Sequence, residues 1–390
     1  MVVLARPPVH VEAVRAPRQL DEFLRLPWRI YRDDPNWVPP LLDQQRTLLD
    51  RSRHPFHQHA EVEYFLARRS GEVVGRIAAT VNHQHNQFHR ETTGFFGFFE
   101  SVDDREVARA LLAASAGWLQ ARGMTVLRGP ASFSSNEEWA LLVEGFDGPP
   151  FVMMTYNPPY YQHLLEGCGL VKAKDLLAYW TDKETSSLEQ RAKFTRVVET
   201  ISRRVNLTVR PADLQRFDAE LKLLKEIYNQ AWERSWGFVP LTDAEIDFAA
   251  RELRPVIDPH LCWFAFVGDR PVGAAIGVPD LNVALKHANG RLWPVGLLKI
   301  LWHTRVRKIR RFRFMILGVV HGYQKRGIDM ALIAAVVRAA LERGYTEAEF
   351  SWVLEDNHVL NNMFLSWGLK PYRRYRVYEA PLAALSGGSA

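Results

Sequence analysis

The sequence predicts an α/β protein built as two tandem copies of one unit, and three observations carry the prediction. The chain has 390 residues, enough for two ordinary domains. Its 47% apolar and 24% charged residues are the balance of a soluble globular protein, not of a disordered chain or a membrane-embedded bundle. Two long segments also read alike at an offset near 200 residues.

The first copy opens with apolar alternation at 9–14, a strand signal, then helical periodicity at 18–31 and 41–51. The second opens in the same way at 207–209, 213–234 and 243–253. Residues 64–75 match 263–273, each a short apolar strand, a turn containing Gly71 or Gly268, and a second strand. Residues 110–123 align with 331–344, Ala/Leu-rich helices closed by the C-cap glycines Gly123 and Gly344. A last aligned stretch pairs 157–170 with 357–369. The offset rises to 221 at the Ala/Leu-rich helix and then returns to about 200, so two insertions compensate. One, of about 21 residues, lies in the second copy between its third and fourth strands; the other lies around 129–150 of the first, as loops allow. The domains expected are 1–182, a linker at 183–204, and 205–385 with a basic insertion at 281–313.

Composition narrows the setting. Cys168 and Cys262 stand far apart and in no CxxC spacing, against a disulfide framework or a thiolate metal site. Arg6, Pro7, Pro8 and Glu12 interrupt any secretory h-region, and no stretch reaches eighteen uncharged apolar residues. A cytoplasmic protein is expected, with peripheral contact at the inner membrane face open. The net charge of +6 is local: eleven Lys or Arg and no Asp or Glu fall between Leu281 and Ile328. Outside that segment 39 basic residues face 44 acidic ones. Such a patch asks for a polyphosphate, nucleic acid or anionic lipid partner.

The order βααββ, strand, helix, strand, helix, strand resembles the GNAT superfamily of acyl-CoA-dependent N-acyltransferases, here in tandem over nearly the whole chain. For each copy the resemblance implies a mixed, mostly antiparallel sheet flanked by helices. Its most specific element is the run from Val319, Val320 and His321 through Gln324, Lys325, Arg326, Gly327, Ile328 and Asp329, similar to the family's strand, phosphate loop and helix. The text at 33–40, 94–100 and 351–357 also resembles a bacterial subgroup that acylates lipid amines, ceramide-forming enzymes included. Implied acyl-CoA contacts are Val319, Val320, the loop 324–329 and Asn357.

The loop is also legible by itself. A turn through Gly327 into a helix presents unpaired N–H groups and a positive dipole end, with Lys325 and Arg326 adding charge. The plainer reading is a solvated basic turn opening an amphipathic helix. Asp329 departs from the family's Gly/Ala and puts a carboxylate in the first helical turn, near phosphate or as a helix cap. In the first copy Asp103, Asp104 and Glu106 fall where Gln324, Lys325 and Gly327 stand, and three carboxylates repel pyrophosphate. One acyl-CoA site is therefore expected, in the second copy.

Amide formation from a thioester needs a free amine, a donor to the carbonyl and a proton for the thiolate. The resemblance implies that a backbone N–H at Val319 or Val320 is the carbonyl donor. The family's usual acid, a Tyr four residues before the Gly of the last helix, is Phe364 here. Candidates for proton transfer are His321, Glu355 beside Asp356, Glu100 at the end of an aromatic strand, and Tyr378. Against these stand a surface loop histidine, a helix-capping acidic pair and a strand-end cap. His54, His57, His59, His83, His85 and His89 have spacings that allow zinc, but without HExxH they read as hydrogen-bonded loop histidines and no metal is expected.

Residues 292–314 begin apolar with Trp293 and Trp302 and end strongly basic. That suits an interfacial helix on an anionic membrane, or equally a core-packed helix with a solvated basic edge; nucleic acid ranks lower. Aromatic density at 95–99 and 156–161 suits either core or an acyl tunnel. The expected activity is transfer of a long-chain acyl group from acyl-CoA, or from acyl carrier protein, to a primary amine such as a sphingoid base. Acetylation of a small polar amine or peptide, and a silent CoA- or membrane-binding pair, are the competing readings.

Overall fold

The computed structural model describes residues 6–182 and 206–386, and the linker expected at 183–204 lies outside them. The chain divides into two compact units. The first draws on Met1–Asp175, Asn289–Arg291 and Arg374–Ala390, the second on Leu176–Ala288 and Leu292–Arg373.

The strands of the N-terminal half are β1 (His10–Ala13), β2 (Ala60–Arg69), β3 (Glu72–Asn82), β4 (Thr93–Ser101), β5 (Val126–Gly129), the short β6 (Ala131–Ser132) and β7 (Glu138–Trp139), β8 (Leu141–Glu144) and β9 (Val171–Thr181). In the first unit's sheet β1 to β4 are antiparallel neighbours, and β5 joins β4 in parallel. Both faces are covered, so β2 and β3 are apolar on successive residues. Phe65 and Ala67 pack with the Arg105–Gln120 helix, whereas Tyr64 and Leu66 pack with the Pro17–Ile30 helix. The Arg105–Gln120 helix buries Val107, Leu111, Ser115 and Leu119 at i, i+4 spacing and ends at Gly123, φ +76°, with Met124 N–H bonded back to Leu119. Each large apolar side chain fully buried this way contributes about 1.5–3 kcal/mol.

The C-terminal half supplies β10 (Leu207–Pro211), β11 (Cys262–Val267), β12 (Arg270–Pro279), β13 (Arg311–Val319), β14 (Glu347–Leu354) and β15 (Pro371–Pro381). β10 to β13 are antiparallel and β14 joins β13 in parallel. The Ile328–Glu342 helix buries Leu332, Val336 and Ala340 on one face of this sheet. The Phe217–Trp232 helix brings Ile227 to Phe264, Ala274 and Val320 on the other. The Asp243–Leu253 helix starts at a Thr242–Glu245 capping box.

Each unit is completed by the last strand of the other half. β9 closes the second unit's sheet, with Leu176 opposite Leu354 and Thr181 opposite Ala348. β15 closes the first, with Tyr378 opposite Gly129 and Pro381 opposite Val126. Sequence order alone assigns 176–182 to the first copy and 374–385 to the second; pairing puts them the other way round, because both strands are apolar enough to fit either sheet and only the register chooses. The insertion is also shorter than the text suggests: Arg311, Phe312 and Arg313 already belong to β13.

Candidate functional site

In the second unit β13 and β14 pair over four residues and then part. The last register pair is Phe314 with Phe350, although β13 runs on to Val319 and β14 to Leu354. Val320 N–H is turned to β12, where it donates to Val272 O at 2.9 Å. Backbone direction alternates along a strand, so the amides of Val319 and Leu317 face the edge that β14 has left. Of the two amides the sequence singled out, Val319 is thus the one directed into the split. Gly318 holds β13 there: a Cβ at that residue would lie 2.2 Å from Trp232.

A buried ion pair sits where the strands part. Arg313 and Glu349 are cross-strand partners and almost wholly inaccessible. Arg313 Nε donates to Ser351 Oγ at 2.9 Å, Ser351 donates to Glu349 at 2.6 Å, and the Tyr372 hydroxyl donates to the same carboxylate. Every charge here has a hydrogen-bonded partner, the condition under which such a pair persists in a core.

Beyond Val319 the chain turns through Gly322 (φ +87°), Lys325 (φ +61°) and Gly327 (φ +77°) into the Ile328–Glu342 helix. Gly327 is the N-cap and offers no side chain to the helix amides. Gln324 anchors the loop by donating from Nε2 to Val319 O at 3.1 Å, and Ile328 is core. Lys325 and Arg326 are exposed. The Arg326 guanidinium lies 5.1 Å from the Tyr323 ring centroid and Arg270, the first residue of β12, lies 5.4 Å from the same ring. Arg270 is thus a third cation at the loop, missed in the sequence because it lies 56 residues upstream of Arg326. The Asp329 carboxylate accepts its helix's Met330 N–H at 3.0 Å, while burial raises its pKa.

The proton-transfer candidates separate. His321 sits half-buried in the turn after β13, and its Nε2 has no hydrogen-bond partner among the described residues. Glu355 is half-buried just past β14, its backbone carbonyl held by Asn361 at 3.1 Å. Asn357 caps the His358–Ser366 helix, accepting Leu360 N–H at 3.3 Å. These three belong to the second unit. Glu100 and Tyr378 belong to the first. Tyr378 is wholly buried there and donates to Glu166 at 2.9 Å, because β15 carries it into that core. Burial pushes the Glu100 carboxyl up, against Arg76 and the Tyr161 hydroxyl that donates to it at 2.6 Å.

The first unit has the same strand split in a different state. β4 and β5 pair only from Thr93 with Val126 to Phe95 with Arg128. Segment 130–133 then lies against β4: Phe98 N–H donates to Ser132 Oγ at 2.9 Å, and a Cβ at Gly97 would lie 1.8 Å from Ala131 O. The following helix is capped by Asp104, which with Glu106 pairs to Arg69. The histidines are held locally: His57 on Leu48 O, His83 on Glu61 and His85 on Glu91. Among the described residues no three His, Cys, Asp or Glu converge.

The insertion of the second unit forms helix Gly296–Leu301 and a π-turn Trp302–Val306. Six large apolar side chains are exposed on it: Trp293, Val295, Leu298, Leu301, Trp302 and Val306. Exposed Lys299, Arg305, Arg307, Lys308 and Arg310 accompany them. The core-packed alternative accounts for none of the six. No described helix is long and apolar enough to cross a membrane.

No protein-family model matches the chain. The bacterial ceramide synthase of Caulobacter vibrioides is 38% identical over 95% of this chain and 96% of its own. Protein YghO of Escherichia coli is 34% identical over 92% of both. Among solved structures, a tandem GNAT protein from the clavulanic acid biosynthesis pathway aligns over 98% of this chain and all of its own, with a TM-score of 0.56 at 13% identity. A GCN5-related N-acetyltransferase from Sphaerobacter thermophilus covers 96% of each chain with a TM-score of 0.51, also at 13% identity. The solved structures fix the fold, the curated relatives the family: the chain is an acyl-CoA-dependent N-acyltransferase and belongs to the tandem GNAT family that contains the Caulobacter ceramide synthase and YghO.

Proposed function

We propose that the chain transfers a long-chain acyl group from acyl-CoA to a lipid amine of the sphingoid type, working at an anionic membrane surface. The observation that carries the reading is the near full-length similarity to a ceramide synthase; the exposed apolar and basic insertion supports it. Trp and Leu side chains in the interface with cations at the headgroups would bring the enzyme to an acceptor that does not leave the bilayer.

The loop 324–329 binds the donor's pyrophosphate, with Lys325, Arg326 and Arg270 supplying charge and Gly327 close approach. The Val319 N–H donates to the thioester carbonyl. The amine nitrogen attacks that carbon, the C–N bond forms and the C–S bond breaks. The amine's surplus proton passes to Glu355 or His321 and from there, directly or through water, to the departing thiolate, which leaves as the free thiol. No covalent enzyme intermediate is required.

The test is thiol release with a donor series. Palmitoyl-CoA with sphinganine should exceed acetyl-CoA with ethanolamine by at least tenfold in kcat/KM. The reverse order would replace this reading with small-amine acetylation. Co-sedimentation with phosphatidylglycerol vesicles, reduced by Trp302→Glu, tests the membrane part.

A further inference from the structure

In the second unit, the parting of β13 from β14 is built from two bulges and one arginine. After the shared pair Phe314–Phe350, each strand is irregular on its outer side. Met315 falls between Phe314, opposite Gly277 of β12, and Ile316, opposite Ile276. Ser351 and Trp352 together span the place between Phe350, opposite Tyr179 of β9, and Val353, opposite Leu177. Such bulges bend their strands, here away from each other. The Phe314 and Phe350 rings stack 4.4 Å apart on one face of the sheet and clamp the last pair. Arg313 works on the opposite face, since side chains alternate along a strand. Its Nε donates to Ser351 Oγ at 2.9 Å, its Nη2 donates to Ser351 O at 3.4 Å, and its guanidinium lies 5.1 Å from the Trp352 ring centroid. One buried side chain thus engages both bulged residues of β14. Glu349 holds the arrangement from the other end, accepting the Ser351 hydroxyl at 2.6 Å and lying 3.8 Å from Arg313 Nε.

A buried carbonyl that leaves its ladder needs another donor, and at Ser351 the guanidinium supplies one. We propose that Arg313 is a positioning residue for the acyl transfer: it keeps β14 bulged and off β13, so that the Val319 amide stays turned to a gap instead of pairing with a β14 carbonyl. It touches no reacting atom and acts through the backbone. The first copy supplies the contrast. Counting back one residue from its last parallel pair, Phe95 with Arg128, puts Gly94 where Arg313 stands before Phe314, and in that copy segment 130–133 lies against β4. The copy without the arginine is the copy whose split is filled. The inference rests on the acyltransferase reading above for what the gap receives, while the wedge itself rests on the strands.

The experiment is hydrogen–deuterium exchange at the Leu317 and Val319 amides of the full chain, paired with titration of palmitoyl-CoA. Arg313→Met/Glu349→Gln removes both charges together, so no ion is orphaned in the core and the fold should survive, as native circular dichroism would report. In that variant the two strands should zip further, slowing exchange at both amides at least tenfold and weakening palmitoyl-CoA at least tenfold. Arg313→Lys keeps the charge but not the planar fork, and should fall between the variant and the unaltered chain. A folded double variant whose two amides exchange as fast as in the unaltered chain overturns the wedge. Should the double variant not fold, Arg313→Lys decides, and unchanged exchange there overturns it equally. Slowed exchange with undiminished palmitoyl-CoA binding upholds the wedge and instead overturns the placing of the donor in this cleft.

Discussion

Two strand pairs in this chain split at the same relative place and meet different fates. In the first unit, segment 130–133 lies against β4, and Ser132 takes the Phe98 amide that would otherwise be offered to a ligand. In the second, β13 runs on past its last pair with β14, and the Val319 amide is left facing the gap. The helix that follows is closed by Asp104 and Glu106 in one case and opened by Gly327 amid cations in the other. Duplication therefore kept the scaffold and changed the end of the cleft: one copy leaves it open beside cations, while in the other a chain segment and carboxylates occupy it.

The largest expected effect breaks the open copy directly. Gly327→Trp places an indole where φ is +77° and where the proposed donor site brings the pyrophosphate, so palmitoyl-CoA should give no thermal shift while circular dichroism stays native. Retained binding would put the donor elsewhere. Next comes the pivot: Glu349→Ala leaves Arg313 charged and buried, which should cost about 3–5 kcal/mol in chemical denaturation. Gly318→Ala drives a methyl into Trp232 and should cost about 1–3 kcal/mol, with donor affinity falling as β13 shifts. The smallest effect sharpens the contrast. Asp104→Ala removes the first unit's cap for about 1 kcal/mol and leaves palmitoyl-CoA affinity unaltered. Burial alone would raise the Asp104 carboxyl, but Arg69 and the Glu106 amide hold it below its ordinary value. Its contribution is therefore full above the ordinary carboxylate range and lost as pH falls below it, so the wild-type and Asp104→Ala stabilities should converge in acid.

Much of this was legible in the text of the chain. The duplicated order, the two Gly-capped helices and the basic loop rest on local rules of periodicity and capping, and the structure has them at Gly123, Gly344 and Gly327. The sequence allows Asp329 either beside phosphate or as a helix cap, and in the structure its carboxylate accepts the Met330 N–H of the first turn, an arrangement compatible with both. Tyr378 looked close to the second copy's chemistry because it is near in sequence, yet β15 takes it into the first unit's core. Arg270 carried no signal at all, being a single charged residue in a hairpin.

By itself, then, the sequence determined the repeating elements, the family and which copy opens its helix at a basic, glycine-containing turn, since these depend on residues adjacent along the chain. Only the tertiary structure decided that β9 and β15 trade sheets, that the first cleft is plugged and that Arg313 and Glu349 are buried together where β13 and β14 part. Those outcomes depend on register and on contacts between distant residues, where burial and unmet hydrogen bonds are settled and local propensity has no say.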